Sequence, residues 1–167
     1  MNSRTLLLAC SWVGLCACLD DAPTFSPGGQ RPPFVIAGQI SPPVGAVYEG
    51  TIPFPINVPF RSEDTNIPLA AHLFQDLVPG TSQAGVQEEI LRAGVYQEER
   101  EVRMVWTEPL EGCHSLTLIL TYFDNVDQFG LPRDETLAAR VVWWLNVADM
   151  DDTITLASCP GSSQSGL

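Results

Sequence analysis

Hydrophobic residues alternate with polar residues or prolines over much of this 167-residue chain. The clearest segment, residues 52–60, reads IPFPINVPF, with its apolar side chains on one parity and Asn57 and three prolines on the other. A period of two is typical of a β-strand with one buried face. Because the N–H groups of alternate residues point to opposite sides of a strand, the prolines remove donors from one side only. We therefore predict an edge strand whose outer side cannot pair.

Further segments with strand-like patterns follow the same logic, and turn-rich stretches separate them. They are residues 34–40, 69–77, 102–107, 115–123, 137–147 and 153–159. Only residues 87–92 favour a helix, and a short one. About seven short strands joined by turns are typical of an antiparallel β-sandwich. The pattern therefore predicts an all-β fold.

The first residues have the composition of an export signal. One basic residue, Arg4, precedes an apolar run over residues 6–17 that only Ser11 and Gly14 interrupt. This run is too short to cross a bilayer core as a helix. A basic start, a short apolar region and a small residue at its end are the parts of a secretory signal peptide, so we expect the chain to be exported.

The apolar run ends in the order Leu15, Cys16, Ala17, Cys18. Ordinary cleavage after Ala17 would place the bulky Leu15 at a position that prefers a small side chain. The four residues resemble the lipobox of bacterial lipoproteins, which implies that Cys18 is the acylated (palmitate-type) first residue of the mature protein. Two or more acyl chains anchor a protein stably. The alternative is a plain secreted protein in which Cys18 has no role.

Composition divides the chain into a signal peptide (residues 1–17), an acylated cysteine with a Pro/Gly-rich tether (18–33), a sandwich domain (34–160) and a disordered tail (161–167). The strands of the sandwich domain resemble the immunoglobulin-like modules of bacterial surface lipoproteins. The resemblance implies an antiparallel immunoglobulin-like β-sandwich of about seven strands. The Cys, Trp, Cys framework of true immunoglobulin domains is not present in this sequence.

Charge restricts the partners and the chemistry of the protein. The chain has 8 basic and 20 acidic residues, a net charge of −12, and loss of residues 1–17 removes Arg4 and no acid, which makes it −13. Such a surface repels phosphate backbones, so no nucleic-acid partner is expected. Every basic residue is an arginine. Schiff-base chemistry and a Walker-type lysine are therefore excluded.

Cysteine and histidine content favours a disulfide over a metal centre. With Cys18 acylated, the mature chain keeps Cys113 and Cys159, which in an oxidising compartment we expect to pair. His72 and His114 are the only histidines. With both remaining cysteines in a disulfide, no zinc set of the usual spacing exists, and no cofactor is expected.

Residues 80–84, GTSQA, approximate the nucleophile elbow G-x-S-x-G, with Ser82 as the candidate nucleophile. That motif needs a strand before it and a helix after it, and an acid and a histidine later in the chain. The only later histidine is His114. The alternative interpretation of this segment is a polar loop.

Several oxygen-bearing side chains lie on one predicted loop: Asp124, Asn125, Asp127, Asp134 and Glu135. Calcium prefers oxygen clusters of this kind, so the first four are candidate ligands. Their spacing misses the EF-hand pattern because Val126 and Gly130 are out of place. Asp149, Asp151 and Asp152 could add ligands if the loops meet. The alternative is a solvated turn, where Asp and Asn are favoured anyway.

Trp143 and Trp144 are adjacent in a predicted strand, so their side chains face opposite ways. One should fill the core. The other, if exposed near Tyr122 or Phe123, could anchor a partner or stack on a sugar ring. The alternative is that a loop or neighbouring strand covers it.

Together these features predict a lipid-anchored protein of the bacterial cell envelope, expected at the outer membrane, with a non-enzymatic binding or structural module. Its partners would be the membrane, through the acyl chains, and an envelope protein or glycan. The alternative is an envelope serine hydrolase that uses Ser82.

Overall fold

The alternating segments form the strands of two β-sheets. The computed structural model describes residues 30–49, 53–107, 112–147 and 159. Within those ranges the strands are β1 (Phe34–Val35), β2 (Val47–Glu49), β3 (Phe54–Arg61), β4 (Leu69–Gln75), β5 (Gln87–Leu91), β6 (Glu99–Trp106), β7 (Gly112–Tyr122) and β8 (Ala139–Val147). Three 3₁₀ helices, Ala37–Gln39, Phe123–Asn125 and Glu135–Leu137, lie between them.

The strands form a three-stranded sheet of order β1-β3-β6 and a five-stranded sheet of order β2-β8-β7-β4-β5. This architecture confirms the prediction of an all-β, sandwich-like fold. All strand pairs are antiparallel except β2 and β8, which run parallel. A strand of three residues is below the length at which alternation can be recognised, so β2 was not predicted.

The two sheets bury one face each against the other. The side chains that meet there include Ile56, Val58 and Phe60 of β3, Met104 and Trp106 of β6, Leu69 and Leu73 of β4, Leu116, Leu118 and Leu120 of β7, and Trp143 and Leu145 of β8. Burial of each large apolar side chain contributes roughly 1.5 to 3 kcal/mol. The alternation seen in the sequence is thus the alternation between this core and the outer faces.

The prolines of β3 act on one side of the strand, as predicted. Asn57 exchanges backbone hydrogen bonds with Ser41 on the side away from β6, and Pro59 accepts there from Ile36. Pro53 and Pro55 have the parity of Asn57, so their missing donors lie on this side too. The prediction that this side cannot pair is wrong: β3 is the central strand of its sheet. Its outer neighbour is nevertheless only the two-residue β1 and the Ser41 bridge.

Other predicted segments differ from the structure or lie outside the described residues. Residues 87–92 are not helical: Gln87–Leu91 forms β5, because pairing with β4 and packing of Leu91 on the core override the helix propensity of Gln and Glu. The predicted strand 34–40 shortens to β1 and continues as the helix Ala37–Gln39. The signal peptide, Cys18, the tail and, apart from Cys159, the strand 153–159 lie outside the described residues.

The five-stranded sheet is also covered on its outer face. Ala70, His72 and Phe74 of β4 point away from the core and are buried all the same. The covering segments are the β4–β5 loop (residues 76–86) and the β7–β8 loop (residues 123–138), which a hydrogen bond from Gly85 N to Phe129 O joins. A second, smaller packed layer therefore lies on this sheet. Among the described residues, no helix has the length and apolar character that a membrane crossing requires.

Candidate functional site

A cavity of about 590 Å³ lies between the outer face of the five-stranded sheet and its two covering loops. Ala70 and His72 of β4 and Glu88 of β5 line it from the sheet, and residues 84–85, 123–124, 126–130 and 133 line it from the loops. We call this space the outer-sheet cavity. Its volume falls within the range of roughly 300 to 1,000 Å³ that is typical of small-molecule sites.

Hydrogen bonds within the β7–β8 loop fix its shape. Asn125 is buried; its amide donates to Thr121 Oγ1 and to Asp134 O, each at 2.9 Å, and accepts from Asp134 N at 2.9 Å. Asp127 Oδ1 accepts from the backbone of Phe129 at 2.8 Å and of Leu131 at 2.9 Å. The loop is thus held by its own polar side chains.

His72 lies at the inner end of the cavity, against Gly130. Its side chain is 7% exposed, and its Nε2 atom is 3.9 Å from Glu88 Oε1, which is beyond hydrogen-bond distance. Among the described residues this buried Nε2 has no hydrogen-bond partner. A Cβ on Gly130 would lie 2.6 Å from His72 Nδ1, and Gly130 has a φ of +85°. Glycine is therefore required for the loop to close over the imidazole.

The surroundings favour an uncharged imidazole in an acidic cavity. Burial lowers the pKa of His72, while the carboxylates of Glu88 and Asp127 act in the opposite direction and only partly offset it. Among the described residues, the carboxylates of Glu88, Asp124 and Asp127 line the cavity together with one guanidinium, that of Arg133. The site therefore combines negative charge with a buried neutral histidine.

The predicted calcium ligands divide between two roles. Asp124 and Asp127 line the cavity. Asn125 and Asp134 instead bind the loop itself: Asp134 Oδ1 accepts from Thr136 N at 2.9 Å and from Thr136 Oγ1 at 2.7 Å, and these bonds lower the pKa of Asp134. Within the described ranges, no three or more acidic, histidine or cysteine side chains form a group that could hold a metal ion.

Ser82 lies exposed in the β4–β5 loop. The segment that follows is strand β5, so the strand–turn–helix setting of a nucleophile elbow is not formed at this position. His114 contacts a different group: its Nδ1 is 2.6 Å from Asp76 Oδ2 and 3.3 Å from Gln75 Nε2. The hydrolase hypothesis requires an acid that follows Ser82 in the chain. The carboxylate that contacts His114 belongs to Asp76, which precedes Ser82.

The adjacent tryptophans face opposite ways, as predicted. Trp143 is fully buried in the core, and its Nε1 donates to Pro42 O at 2.8 Å. Trp144 is half-buried on the outer face, beside Val47 of β2 and Ser115 of β7. Ser115 and Phe123 are eight residues apart along the chain, or roughly 25 Å at about 3.3 Å per residue. The aromatic surface expected from Trp144 with Tyr122 or Phe123 is therefore not formed, and Tyr122 is fully buried.

The structure contains the predicted disulfide. Cys113, at the start of β7, is joined to the buried Cys159 with an S–S distance of 2.07 Å and a Cα–Cα distance of 5.3 Å. It joins Cys159 to the start of β7, beside β8. The disulfide lies on residues unrelated to the outer-sheet cavity, so we assign it a structural role.

From the sequence, His72 was a candidate only for a zinc site, and its place in a cavity was not predicted. One signal was available: His72 shares its strand parity with Ala70 and Phe74, which makes it a histidine within an apolar face. No protein-family model matches the chain, and the search of characterised proteins finds no significant sequence match. The site is therefore interpreted from its own geometry.

Proposed function

We propose that the protein is a lipid-anchored module of the bacterial cell envelope that binds a small ligand, without catalysis, in the outer-sheet cavity. The lipobox-like order Leu15 to Cys18 supports the anchor, and the immunoglobulin-like resemblance supports a module presented from a membrane surface. The sequence predicted a binding or structural module without naming a ligand, and we now propose the binding role, with a small molecule as the ligand.

One observation carries the binding function: His72 lines the cavity, and its buried Nε2 atom has no hydrogen-bond partner among the residues that the structure describes. Leaving a buried polar group unsatisfied costs about 1 to 3 kcal/mol, so such a group is retained where it has a use. A bound ligand would supply the missing partner. The alternative serine hydrolase gains no support from the exposed position of Ser82 in a loop.

The proposal is tested on the mature protein purified from its own membranes in detergent. Native mass spectrometry after incubation with an envelope extract should show acyl chains on Cys18 and a bound small molecule. Ala84→Trp, an exposed lining position, should fill the cavity and abolish the bound mass. Ala46→Trp, on an exposed loop before β2, is the matched control and should retain it.

The anchor has its own control in the same preparation. Cys18→Ser should release the protein from membranes or leave an unprocessed precursor, whereas Cys16→Ser should change neither. A mature Cys18→Ser protein that stays membrane-bound would contradict the anchor. Wild-type protein with no adduct would contradict ligand binding.

A further inference from the structure

We infer that the outer-sheet cavity binds a small molecule with a primary ammonium group, which lies between His72 and Glu88 while its apolar body packs along the loop-covered wall. This inference rests on the proposed ligand-binding function and adds the chemical class of the ligand. It is carried by the geometry of one atom pair and by the charges around it.

The atom pair has the separation that a bridging donor requires. His72 Nε2 and Glu88 Oε1 are 3.9 Å apart. Nε2 itself has almost no accessible surface, so binding requires the half-exposed Glu88 side chain to move aside. A nitrogen at about 2.8 Å from each atom would then donate one hydrogen to the imidazole and one to the carboxylate. An ammonium carries three such donors and no acceptor. In the neutral tautomer that carries its proton on Nδ1, Nε2 has a free lone pair, and that lone pair becomes satisfied when this group binds.

The charge of the lining selects against anions. A carboxylate or phosphate ligand would face Glu88, Asp124 and Asp127, and in the part of the chain that the structure describes only Arg133 offsets them. The guanidinium of Arg133 also lies 3.5 Å from Asp124 O, at the loop backbone. A cation, by contrast, meets net negative charge in a site partly shielded from water, where electrostatic attraction is stronger than in bulk solvent.

An organic cation fits this lining better than a metal ion. Metal sites in proteins usually have three or more side-chain ligands, and the described residues provide no such group. The remaining walls include Phe129, Val126 and Ala70, and Phe123 lies at the cavity with half of its surface exposed. These side chains offer apolar contact to a body attached to the ammonium group.

The test compares three probes of nearly equal shape by isothermal titration calorimetry at neutral pH: 2-phenylethylammonium, 2-phenylethanol and phenylacetate. We expect the ammonium compound to bind at least about tenfold more tightly than the alcohol, and phenylacetate to bind most weakly. Glu88→Gln should remove most of the preference for the cation. Glu49→Gln, on the exposed edge strand β2, should leave it intact.

Other outcomes overturn the inference. Equal affinity for the ammonium and the alcohol, or no binding of the ammonium, would show that charge does not select the ligand. Tight binding of Zn²⁺ alone that depends on both His72 and Glu88 would assign the pair to a metal. The native mass spectrum with envelope extract is independent of these probes, so it distinguishes a wrong ligand class from a wrong proposed function.

Discussion

At the scale of residues, the imidazole of His72 is the feature of the outer-sheet cavity on which the proposed binding role depends. His72 is buried, and its neighbours on three sides are a carboxylate on the adjacent strand, a glycine in the covering loop and an aspartate in that same loop. These neighbours are distant in sequence. Its strand position could be read from the sequence, whereas its burial on the outer face depends on loop packing that no local pattern encodes.

Because the pKa of His72 is lowered in the folded protein, the free energy of unfolding should decrease as the pH is lowered below about 6.5. Above about pH 6.5 the imidazole is neutral in both states, and there is no effect. Below that value the unfolded chain takes up the proton first, so the folded state loses stability until the pH reaches the folded-state pKa. When the pH is lowered from about 7.5 to about 5.5, the free energy of unfolding should therefore decrease less for His72→Gln than for wild type.

Urea denaturation of both proteins at the two pH values measures this difference. Glu88 and Asp127 are the carboxylates that act on His72, and both are retained in the variant. An equal loss of stability in the variant and the wild type would show that His72 does not titrate in this way.

At the scale of elements, the alternation of apolar and polar residues was sufficient to predict a strand wherever one face of that strand meets the core. The predicted segments 52–60, 69–77, 102–107, 115–123 and 137–147 overlap strands β3, β4, β6, β7 and β8, of which β3, β6 and β7 extend beyond the predicted bounds. The failures were β2, which is too short, and β5, whose Gln and Glu residues favour a helix until β4 pairs with them. An edge strand owes its conformation to its neighbour more than to its own residues.

The prolines of β3 predict a specific effect on self-association. Pro55 is exposed, and its missing donor lies on the outer side of the strand, where the described residues provide no pairing partner beside it. Pro55→Thr restores an N–H group and a residue that favours strands. We expect it to fold normally, with stability within about 1 kcal/mol of wild type, and to self-associate more strongly.

Sedimentation velocity over a concentration series measures this association. Pro79→Thr, an exposed proline in the β4–β5 loop, is the matched control and should behave as wild type. Identical sedimentation of Pro55→Thr and the control would show that the prolines do not protect this side.

At the scale of the whole molecule, the five-stranded sheet is unusual in being buried on both faces over β4 and β7. Ile119 and Thr121 of β7 are as buried as the neighbouring core residues Leu118 and Leu120. A sandwich predicted from alternation has one wet face per sheet. The sequence could not indicate the second packed layer because two loops, which carry turn residues and no periodicity, create it.

Removal of the disulfide should lower the stability of the fold by an amount that follows from the length of the loop it closes. Cys113 and Cys159 are 46 residues apart. On the chain-entropy model, a link that closes a loop of this length stabilises the fold by about 4 kcal/mol. We expect the double variant Cys113→Ser, Cys159→Ser to lose stability of this order in urea denaturation.

Wild-type protein that has been reduced and alkylated is the control and should match the double variant. The unreduced, denatured wild type should take up no thiol reagent at these two cysteines. Stoichiometric labelling without reduction would contradict the disulfide.

The close contact between Gly130 and His72 has a consequence for inheritance. Every missense change in the codon for residue 130 adds a Cβ, which would lie 2.6 Å from the imidazole and on a backbone with a φ of +85°. A smaller side chain at residue 72 would remove this contact, but not the cost of the positive φ, and it would also remove the imidazole nitrogen of the cavity. The dependence is therefore one-sided: residue 130 cannot gain a side chain while His72 keeps its place and the covering loop stays closed, whereas the codon for His72 can change alone.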